Sequence, residues 1–236
     1  MARHGKRYAE SLAQVDRLRD YEPREAFELI KELPSANFDE TVEVHVRLGV
    51  DPRRAEQQVR ETVSLPEGTG TTVRIMVFAE GEAAREAEEA GADYVGVDEY
   101  VERIEDGWVD FDVAVAIPQA MSKIGRLGRI LGPRGLMPSP RSGTMVQPDD
   151  IAETIEALRK GRVEFRVDRT GNVHIPIGKV SFTVDALMNN FIAVMSAIWQ
   201  ARPAAVSGGA YIRRLTFATT MGPGVRVDVS AARDLV

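Results

Sequence analysis

Hydrophobic and polar residues alternate strictly along residues 41–48, whose sequence is TVEVHVRL. The four apolar residues would share one face, which is the pattern of a half-buried strand in an antiparallel sheet. Strands of the same class are predicted nearer the carboxyl terminus, over residues 163–167, 173–177, 211–220 and 225–229. We expect the turn at residues 168–171, with sequence DRTG, to join the first two of these strands as a hairpin.

The middle of the chain has a different pattern, in which short apolar runs alternate with helical stretches. The apolar runs predict strands over residues 73–78, 94–97 and 113–117. The helical stretches cover residues 82–90, 99–105 and 149–160. Strands that alternate with helices are typical of βαβ units, in which both faces of a parallel sheet are covered. The middle is therefore predicted to be a three-layer, Rossmann-like α/β domain.

Both ends of the chain combine helices with antiparallel strands, because further helices are predicted over residues 6–18, 23–33 and 182–200. The break at residues 64–70, SLPEGTG, is typical of a linker. The most economical arrangement is one α+β split domain, an antiparallel sheet with helices, formed by residues 1–68 and 160–236. Residues 69–159 would then be an inserted α/β domain, and the two adjacent connections would act as a hinge.

Charge is distributed unevenly along the 236 residues, whose net charge is −6. Residues 70–160 carry 10 basic and 17 acidic residues, a net charge of −7, whereas residues 161–236 carry 9 basic and 5 acidic residues, a net charge of +4. The chain has no cysteine, which excludes disulfides and thiolate metal sites. No apolar run approaches the ~18 residues of a membrane span, so we expect no membrane contact. The first residues, MARHGKRYAESLAQ, lack the apolar core of a signal peptide, so we expect a mature cytoplasmic amino terminus.

Residues 125–144, GRLGRILGPRGLMPSPRSGT, form the most unusual stretch of the sequence. It belongs to a window between residues 112 and 149 that lacks acidic residues. The basic residues of this window are Lys123, Arg126, Arg129, Arg134 and Arg141. A long loop that is basic and rich in glycine and proline either binds phosphate groups or packs as a surface loop that binds nothing, and the sequence favours neither.

We find no recognisable catalytic constellation in the sequence. The phosphate-binding motifs G-x-G-x-x-G and G-x-x-x-x-G-K-[ST] are missing, and two acidic residues follow the first predicted parallel strand, where a phosphate would bind. His4, His45 and His174 show no close pairing that would suggest a metal site, and His45 is expected to be solvated. We predict no enzyme, cofactor or metal. The alternative is an α/β enzyme for nucleotides or sugar phosphates, with its site under the 125–144 loop.

Three polar turns of the split domain are candidates for binding RNA, at residues 38–41 (FDET), 166–171 (RVDRTG) and 219–222 (TTMG). Small hydroxyl groups, exposed backbone and a flat apolar side chain suit the shallow minor groove of RNA and its 2′-hydroxyl groups. Turns are also rich in Thr, Gly and Asp for conformational reasons. Taken individually, Phe38 and Met221 are more typical of a core than of a contact surface.

Eight segments in order resemble motifs of the L-one family of large-subunit ribosomal proteins, which build the mobile side stalk of the large subunit. The segments are residues 5–8, 38–44, 49–54, 62–66, 91–94, 106–108, 127–138 and 219–222. Residues 127–138, LGRILGPRGLMP, match the most specific signature of that family. The resemblance covers nearly the whole chain. It implies a split domain that contacts stalk rRNA of the 23S type, and it implies that the signature loop belongs to the interface between the domains.

The resemblance also implies a set of RNA-binding residues. The matching positions are Phe38, Thr41, Asp168, Thr170, Gly171, His174, Thr220, Met221 and Gly222. We expect Thr220, Met221 and Gly222 to form the centre of the site and to press backbone and hydroxyl groups into the RNA minor groove. Four arginines are expected from their charge and position to add phosphate contacts: Arg162, Arg166, Arg169 and Arg214.

The family's biology carries over as a set of expectations. A member is a non-catalytic constituent of the cytoplasmic ribosome, monomeric when free, and it helps to release deacylated tRNA from the E site. Family members also repress translation of their own operon by binding a stalk-like site in the mRNA. The expected partners are therefore stalk rRNA, E-site tRNA and the operon mRNA.

The acidity of this chain departs from the family, because such proteins are usually basic and this one has a pI of about 5.3. Residues 80–112 hold 13 acidic residues and only two basic ones, Arg85 and Arg103. We hypothesise that this surface suits a salt-rich cytoplasm, because molar salt shortens the Debye length to ~3 Å. Unfolding curves in increasing KCl test the idea, and a stability that does not rise toward molar salt would count against it.

Overall fold

A computed structural model describes residues 5–33, 36–140 and 142–236. The chain forms two compact units: a discontinuous unit, Met1–Gly70 with Lys160–Val236, and an inserted unit, Thr71–Arg159. The discontinuous unit combines an antiparallel sheet with helices and the inserted unit contains a parallel sheet, which agrees with the predicted fold class. Two residues considered above, His4 and Arg141, lie outside the described residues.

The elements of both units follow one another in a simple order. The strands are β1 (Thr41–Leu48), β2 (Arg60–Ser64), β3 (Ile75–Phe78), β4 (Tyr94–Val95), β5 (Val113–Ala116), β6 (Arg162–Arg166), β7 (Asn172–Lys179), β8 (Ile212–Thr219) and β9 (Val225–Val227). The α-helices are α1 (Lys6–Ala13), α2 (Pro23–Glu32), α3 (Glu82–Glu89), α4 (Asp98–Glu105), α5 (Met121–Ile124), α6 (Gly128–Leu131), α7 (Ile151–Arg159), α8 (Val184–Gln200), α9 (Gly208–Tyr211) and α10 (Val229–Arg233). None of the described helices is long and apolar enough to cross a membrane.

The first helix differs most from its expected extent, because α1 ends at Ala13 rather than at residue 18. Beyond it, a carboxylate oxygen of Asp16 accepts a hydrogen bond from the backbone N–H of Leu18 at 2.9 Å. An aspartate that binds the backbone two residues ahead offers the chain a turn in place of a helix. The side chain of Leu18 is consequently left in solvent.

The discontinuous unit is built on a four-stranded antiparallel sheet with the strand order β7-β1-β8-β9. As predicted, the apolar residues of β1 are buried, and helices α2 and α8 cover that side of the sheet. Their contact is aromatic: the ring of Phe27 in α2 stacks on that of Phe217 at 4.2 Å, and Phe191 of α8 meets Phe217 edge-on at 4.9 Å. The other side carries exposed and half-exposed polar residues, and we call it the open face.

The predicted hairpin between β6 and β7 is wrong. Strand β6 pairs instead with β2 in a separate two-stranded sheet, whereas β7 pairs with β1. The sequence of β2, RETVS, is mostly polar and gave no strand signal, so the partner of β6 could not be recognised. The turn at residues 168–171 does exist, with the N–H of Gly171 donating to the carbonyl of Asp168 at 3.2 Å, but it connects two different sheets.

The inserted unit contains the predicted parallel sheet, with the strand order β4-β3-β5. The chain passes from β3 to its neighbour on one side and then crosses back over β3 to β5. Because such crossovers are right-handed, the two opposite directions place α3 and α4 on opposite faces of the sheet. Helix α3 packs against α7, and α4 packs against α5, which gives the three layers. All four residues of the central strand, β3, are buried.

The segment 125–144 is not a loop throughout. A 3₁₀ turn, Gly125–Leu127, and helix α6 occupy its first part, with Leu127 and Leu131 fully buried in the core of the inserted unit. The segment ends at Thr144, whose carbonyl accepts from the N–H of Ala116 in β5 at 2.9 Å. Glycines in this stretch misled the prediction, although Gly125 and Gly128 adopt ordinary right-handed helical angles.

Basic residues near this segment are partly neutralised within the inserted unit. The ammonium of Lys123 lies 2.6 Å from Glu80 and 2.9 Å from Asp98, and Arg126 lies 3.1 Å from Glu105. Glu80 follows β3 at the edge of the sheet where a phosphate binds in nucleotide-binding folds, and a carboxylate there repels a phosphate. This geometry weakens the alternative of an enzyme for nucleotides or sugar phosphates.

Candidate nucleic-acid interface

The residues proposed to bind RNA separate into two groups at opposite ends of β1. The amino-end cluster lies where β1 begins and β8 ends, and comprises Phe38, Thr41, Thr220, Met221 and Gly222. The carboxyl-end cluster lies where β1 ends and β7 begins, and comprises Arg166, Asp168, Arg169, Thr170 and Gly171. A strand of this length spans about 24 Å at ~3.4 Å per residue, so the clusters are well separated. His174 lies between them, on the open face.

Backbone and hydroxyl groups of Thr41 and Thr220 lock the amino-end cluster together. The N–H of Thr220 donates to the carbonyl of Thr41, and the N–H of Thr41 donates to the hydroxyl of Thr220, both at 3.1 Å. The Thr220 hydroxyl is thus used inside the protein to hold the turn after β8 against β1. The turn tightens further on, where the N–H of Gly222 donates to the carbonyl of Thr219 at 3.2 Å.

Glu40 is a buried carboxylate that ties this turn to the segment before β1. It is 1% exposed, and one of its oxygens accepts from the N–H of Met221 at 2.8 Å. The other accepts from the N–H of Ala36, and the Thr219 side chain also donates to the carboxylate. Burial alone would raise the pKa of Glu40. The hydrogen bonds together outweigh burial, so the pKa lies below its usual 4.5. Glu40 lies in the candidate turn 38–41, but its role could not be predicted because only the fold shows what it contacts.

Phe38 and Met221 are the large apolar side chains that the amino-end cluster presents to solvent. Phe38 is 53% exposed and Met221 is 50% exposed, so neither is the core residue that its type would suggest. Two exposed large apolar side chains therefore lie in one cluster beside a fixed polar backbone. The ammonium of Lys179 donates to the Thr41 hydroxyl at 2.9 Å and adds a positive charge. Lys179 was not predicted, because only the register places it opposite Thr41.

Asp168 organises the turn of the carboxyl-end cluster. Its carboxylate accepts from the N–H groups of Thr170 and Asn172 and from the Thr170 hydroxyl, each at 2.8 Å. Burial raises the pKa of Asp168, but these hydrogen bonds outweigh that effect and lower it to about 2. Gly171 has a φ of 85°, which suits glycine, and its carbonyl accepts from the N–H of Leu48 at 2.8 Å. The turn is therefore a rigid element fastened to the end of β1.

We expect the Asp168→Asn variant to be less stable than the wild type at neutral pH, and the difference to disappear at low pH. Because the folded-state pKa is below the usual 3.8, the carboxylate stabilises the fold above that value, and the contribution is lost as the pH falls toward 2. The difference in melting temperature between wild type and variant should therefore be largest at neutral pH and shrink below pH ~4. Asp234→Asn, at an exposed position near the carboxyl terminus, is the control. A pH-independent difference would contradict this assignment.

The four arginines assigned to phosphate contacts differ in accessibility. Arg166, Arg169 and Arg214 are exposed, whereas Arg162 is half-buried, with a guanidinium nitrogen 3.3 Å from the Thr62 hydroxyl. Arg214 is separate from the others, because it projects from β8 onto the open face. Arg162 is thus the least available of the four for a phosphate group.

The model of the ribosomal protein L1p/L10e family matches residues 29–223, a range that includes both clusters. The chain belongs to this family. The large ribosomal subunit protein uL1 of Chloroflexus aggregans is 55% identical over 236 residues, which cover 100% of this chain and 99% of that protein. The protein of the same name from Rubrobacter xylanophilus is 58% identical over 231 residues, 98% of this chain and 99% of that protein. The protein of that name from Thermomicrobium roseum is 54% identical over 231 residues, which cover 98% of this chain and 95% of that protein.

This L1-family chain pairs two histidines that the sequence analysis treated as separate. His45 of β1 faces His174 of β7, and their Nδ1 atoms lie 2.7 Å apart. The spacing of the histidines along the sequence does not indicate this contact, because the register of two distant strands cannot be read from spacing. Among the described residues no group of three or more histidines and acids is arranged to hold a metal ion.

Proposed function

We propose that this chain is a non-catalytic structural constituent of the large ribosomal subunit and binds the rRNA of the side stalk through its discontinuous unit. The similar proteins named above are large-subunit proteins, and the similarity extends over the whole chain. The RNA assignment rests on the exposure of Phe38 and Met221 on a backbone that Glu40 holds in place. Fixed apolar side chains beside amide and hydroxyl groups suit the shallow minor groove of RNA.

The charge distribution supports the choice of unit. Residues 161–236 have a net charge of +4, whereas residues 70–160 have a net charge of −7, which opposes contact with phosphates. The two clusters lie about 24 Å apart along β1, so one RNA that contacts both must pass along the open face. Arg47, Arg214 and His174 lie on that face and can meet its backbone.

Two further roles belong to the proposal. Release of deacylated tRNA from the E site follows from the movement of the stalk with the leaving tRNA. Repression of the chain's own operon follows from a stalk-like structure in the mRNA that uses the same binding site. Because rRNA and mRNA would share one site on a protein that is monomeric when free, their binding must be competitive. Both roles place the protein on the cytoplasmic ribosome and its message.

A competition experiment tests the proposal. Fluorescently labelled stalk-sized rRNA is titrated with the full chain, and unlabelled operon mRNA or shuffled RNA of the same composition is then added. We expect a 1:1 complex that the mRNA displaces and the shuffled RNA does not. A folded protein that binds no rRNA fragment even at low salt would contradict ribosomal binding, and simultaneous binding of both RNAs would contradict repression through the shared site.

Ribosomes that lack the chain should release E-site tRNA more slowly until the chain is restored.

A further inference from the structure

A shallow pocket lies on the open face between the two clusters, and it includes two residues already expected to contact RNA, His174 and Arg214. It is lined by His45, Arg47, Asn172, His174, Arg214 and Thr216. These side chains come from three adjacent strands, β7, β1 and β8, so the sheet fixes their spacing. An RNA that follows β1 from one cluster to the other passes directly over this pocket.

Two arginines face each other in the pocket without an acidic partner. Arg47 and Arg214 are directly opposed in the register of β1 and β8. Within residues 5–33, 36–140 and 142–236, neither guanidinium forms a salt bridge with a carboxylate, and Arg47 only reaches the side-chain oxygen of Asn172 at 3.3 Å. Like charges directly opposite one another on a sheet are destabilising, and an anion between them removes the repulsion. The arrangement therefore fits an anion such as a phosphate group.

The histidine pair adds a proton-dependent element to the same pocket. At a separation of 2.7 Å, one Nδ1 carries a hydrogen and the other accepts it, so the two rings are held as a unit. The outer nitrogens face acids: Nε2 of His45 lies 3.7 Å from Glu43, and Nε2 of His174 lies 3.8 Å from Asp168. A proton added to an outer nitrogen leaves the Nδ1 hydrogen bond intact and brings positive charge to the pocket.

We propose that this pocket binds one phosphate group of the RNA backbone through Arg47 and Arg214, and that the His45–His174 pair takes up a proton as the phosphate binds. The inference rests on the proposed function, because the ligand is a phosphate of the bound RNA. Four charged groups face the pair: Glu43 on β1, Asp168 in the turn before β7, Arg47 on β1 and Arg214 on β8. The two acids and two arginines balance one another, so the RNA phosphate decides the protonation of the pair.

The direction of the pH effect follows from the free protein. Burial of its ring, followed by the neighbouring His174, lowers the pKa of His45 below its ordinary 6.5, and Glu43 acts weakly in the opposite sense. A bound phosphate favours the imidazolium and raises that pKa. Affinity therefore rises as the pH falls through the raised pKa of His45 in the complex. The gain levels off below the pKa of the free protein.

Binding of the stalk-sized rRNA fragment at pH 7.5 and 5.5, each across a salt series, tests the proposal. We expect the wild type to bind roughly three- to tenfold more tightly at pH 5.5, and the His45→Gln/His174→Gln variant to show no such gain beyond the RNA's own titration. The Arg47→Gln/Arg214→Gln variant should bind about tenfold more weakly, with a slope of log K against log salt reduced by ~0.7–0.9. The Arg85→Gln variant is the matched control, because it removes an exposed charge from the inserted unit.

Separate outcomes distinguish the possible failures. If the wild type does not bind the fragment at low salt and either pH, the proposed function fails and this inference fails with it. If the wild type binds, but the arginine variant keeps its salt slope and the histidine variant keeps its pH dependence, only the pocket is misassigned. NMR titration of the imidazole C–H signals provides a readout independent of variants, and a His pKa that RNA does not raise would overturn proton uptake. Displacement of RNA from the pocket by low-millimolar inorganic phosphate at constant ionic strength would identify a free-phosphate site instead.

Discussion

Replacement of Glu40 by glutamine is expected to loosen the turn that carries Met221 and to weaken RNA binding more than any change of an exposed residue. The amide keeps one acceptor oxygen but places an NH₂ group against a backbone N–H that now has no acceptor. One unsatisfied buried donor and one lost charged hydrogen bond cost about 2 kcal/mol. RNA binding must then supply this free energy to order the turn in the complex. The affinity for the rRNA fragment falls roughly 30-fold as a result.

The Glu40→Gln variant is measured by thermal unfolding and by RNA titration, with Glu61→Gln as the control. Glu61 is exposed on β2, so its replacement changes the net charge equally but should leave stability and affinity nearly unchanged. The pH dependence gives a second check. Because the pKa of Glu40 is lowered in the folded protein, its contribution is present above pH 4.5 and is lost as the pH falls through the folded-state pKa. A variant that unfolds and binds like the wild type at pH 7 would remove Glu40 from the account.

Asn190→Ala is expected to cause the largest loss of stability in the discontinuous unit, about 3–5 kcal/mol. The Asn190 side chain is fully buried and forms hydrogen bonds with three backbone groups. Its oxygen accepts from the N–H of Glu67 at 3.0 Å, and its amide donates to the carbonyls of Gly68 and Ile177 at 2.9 and 2.8 Å. Alanine removes all three hydrogen bonds, and the carbonyl of Ile177 loses its contact in a buried position.

The neighbouring Asn189 provides a matched control, because it is exposed and its amide reaches only the Glu67 carboxylate, at 3.0 Å. Asn189→Ala should cost less than about 1 kcal/mol. A Trp108→Phe background leaves Trp199 as the only tryptophan, so that fluorescence reports urea unfolding of the discontinuous unit alone. A smaller midpoint at unchanged m-value is expected for Asn190→Ala. Equal losses in the two alanine variants would show that the three buried hydrogen bonds contribute little.

Elements with a strong local pattern could be predicted from the sequence, because their burial repeats along the chain. The alternation along β1 indicates a strand with one buried face, and the apolar runs of β3 and β5 indicate strands buried on both faces. The structure confirms all three strands. Strand β2 could not be found in this way, because its residues are mostly polar and show no periodic burial pattern. The false hairpin has the same origin: a turn signal identifies a reversal of the chain but not the strand that receives it.

The site shows the same limit at the level of single residues. Thr220, Met221 and Gly222 were singled out through family resemblance, and the fold places them beside Phe38 and Thr41. Their support is not visible in the sequence, because Glu40, Lys179 and the His45–His174 pair depend on contacts between residues more than a hundred positions apart. Two clusters at opposite ends of one strand could likewise be recognised only from the register.

The measurement that tests the central claim most directly is binding of the stalk-sized rRNA fragment by the Met221→Ala and Thr220→Val variants across a salt series. Met221→Ala removes the exposed apolar side chain, and Thr220→Val removes the hydroxyl that holds the turn to Thr41. Leu18→Ala, at a side chain that is 92% exposed and lies outside the site, is the control. We predict about tenfold weaker binding by both variants at an unchanged salt slope, because apolar area and shape are lost rather than phosphate charge. Wild-type affinity in both variants would contradict the claim that this turn is the centre of the RNA interface.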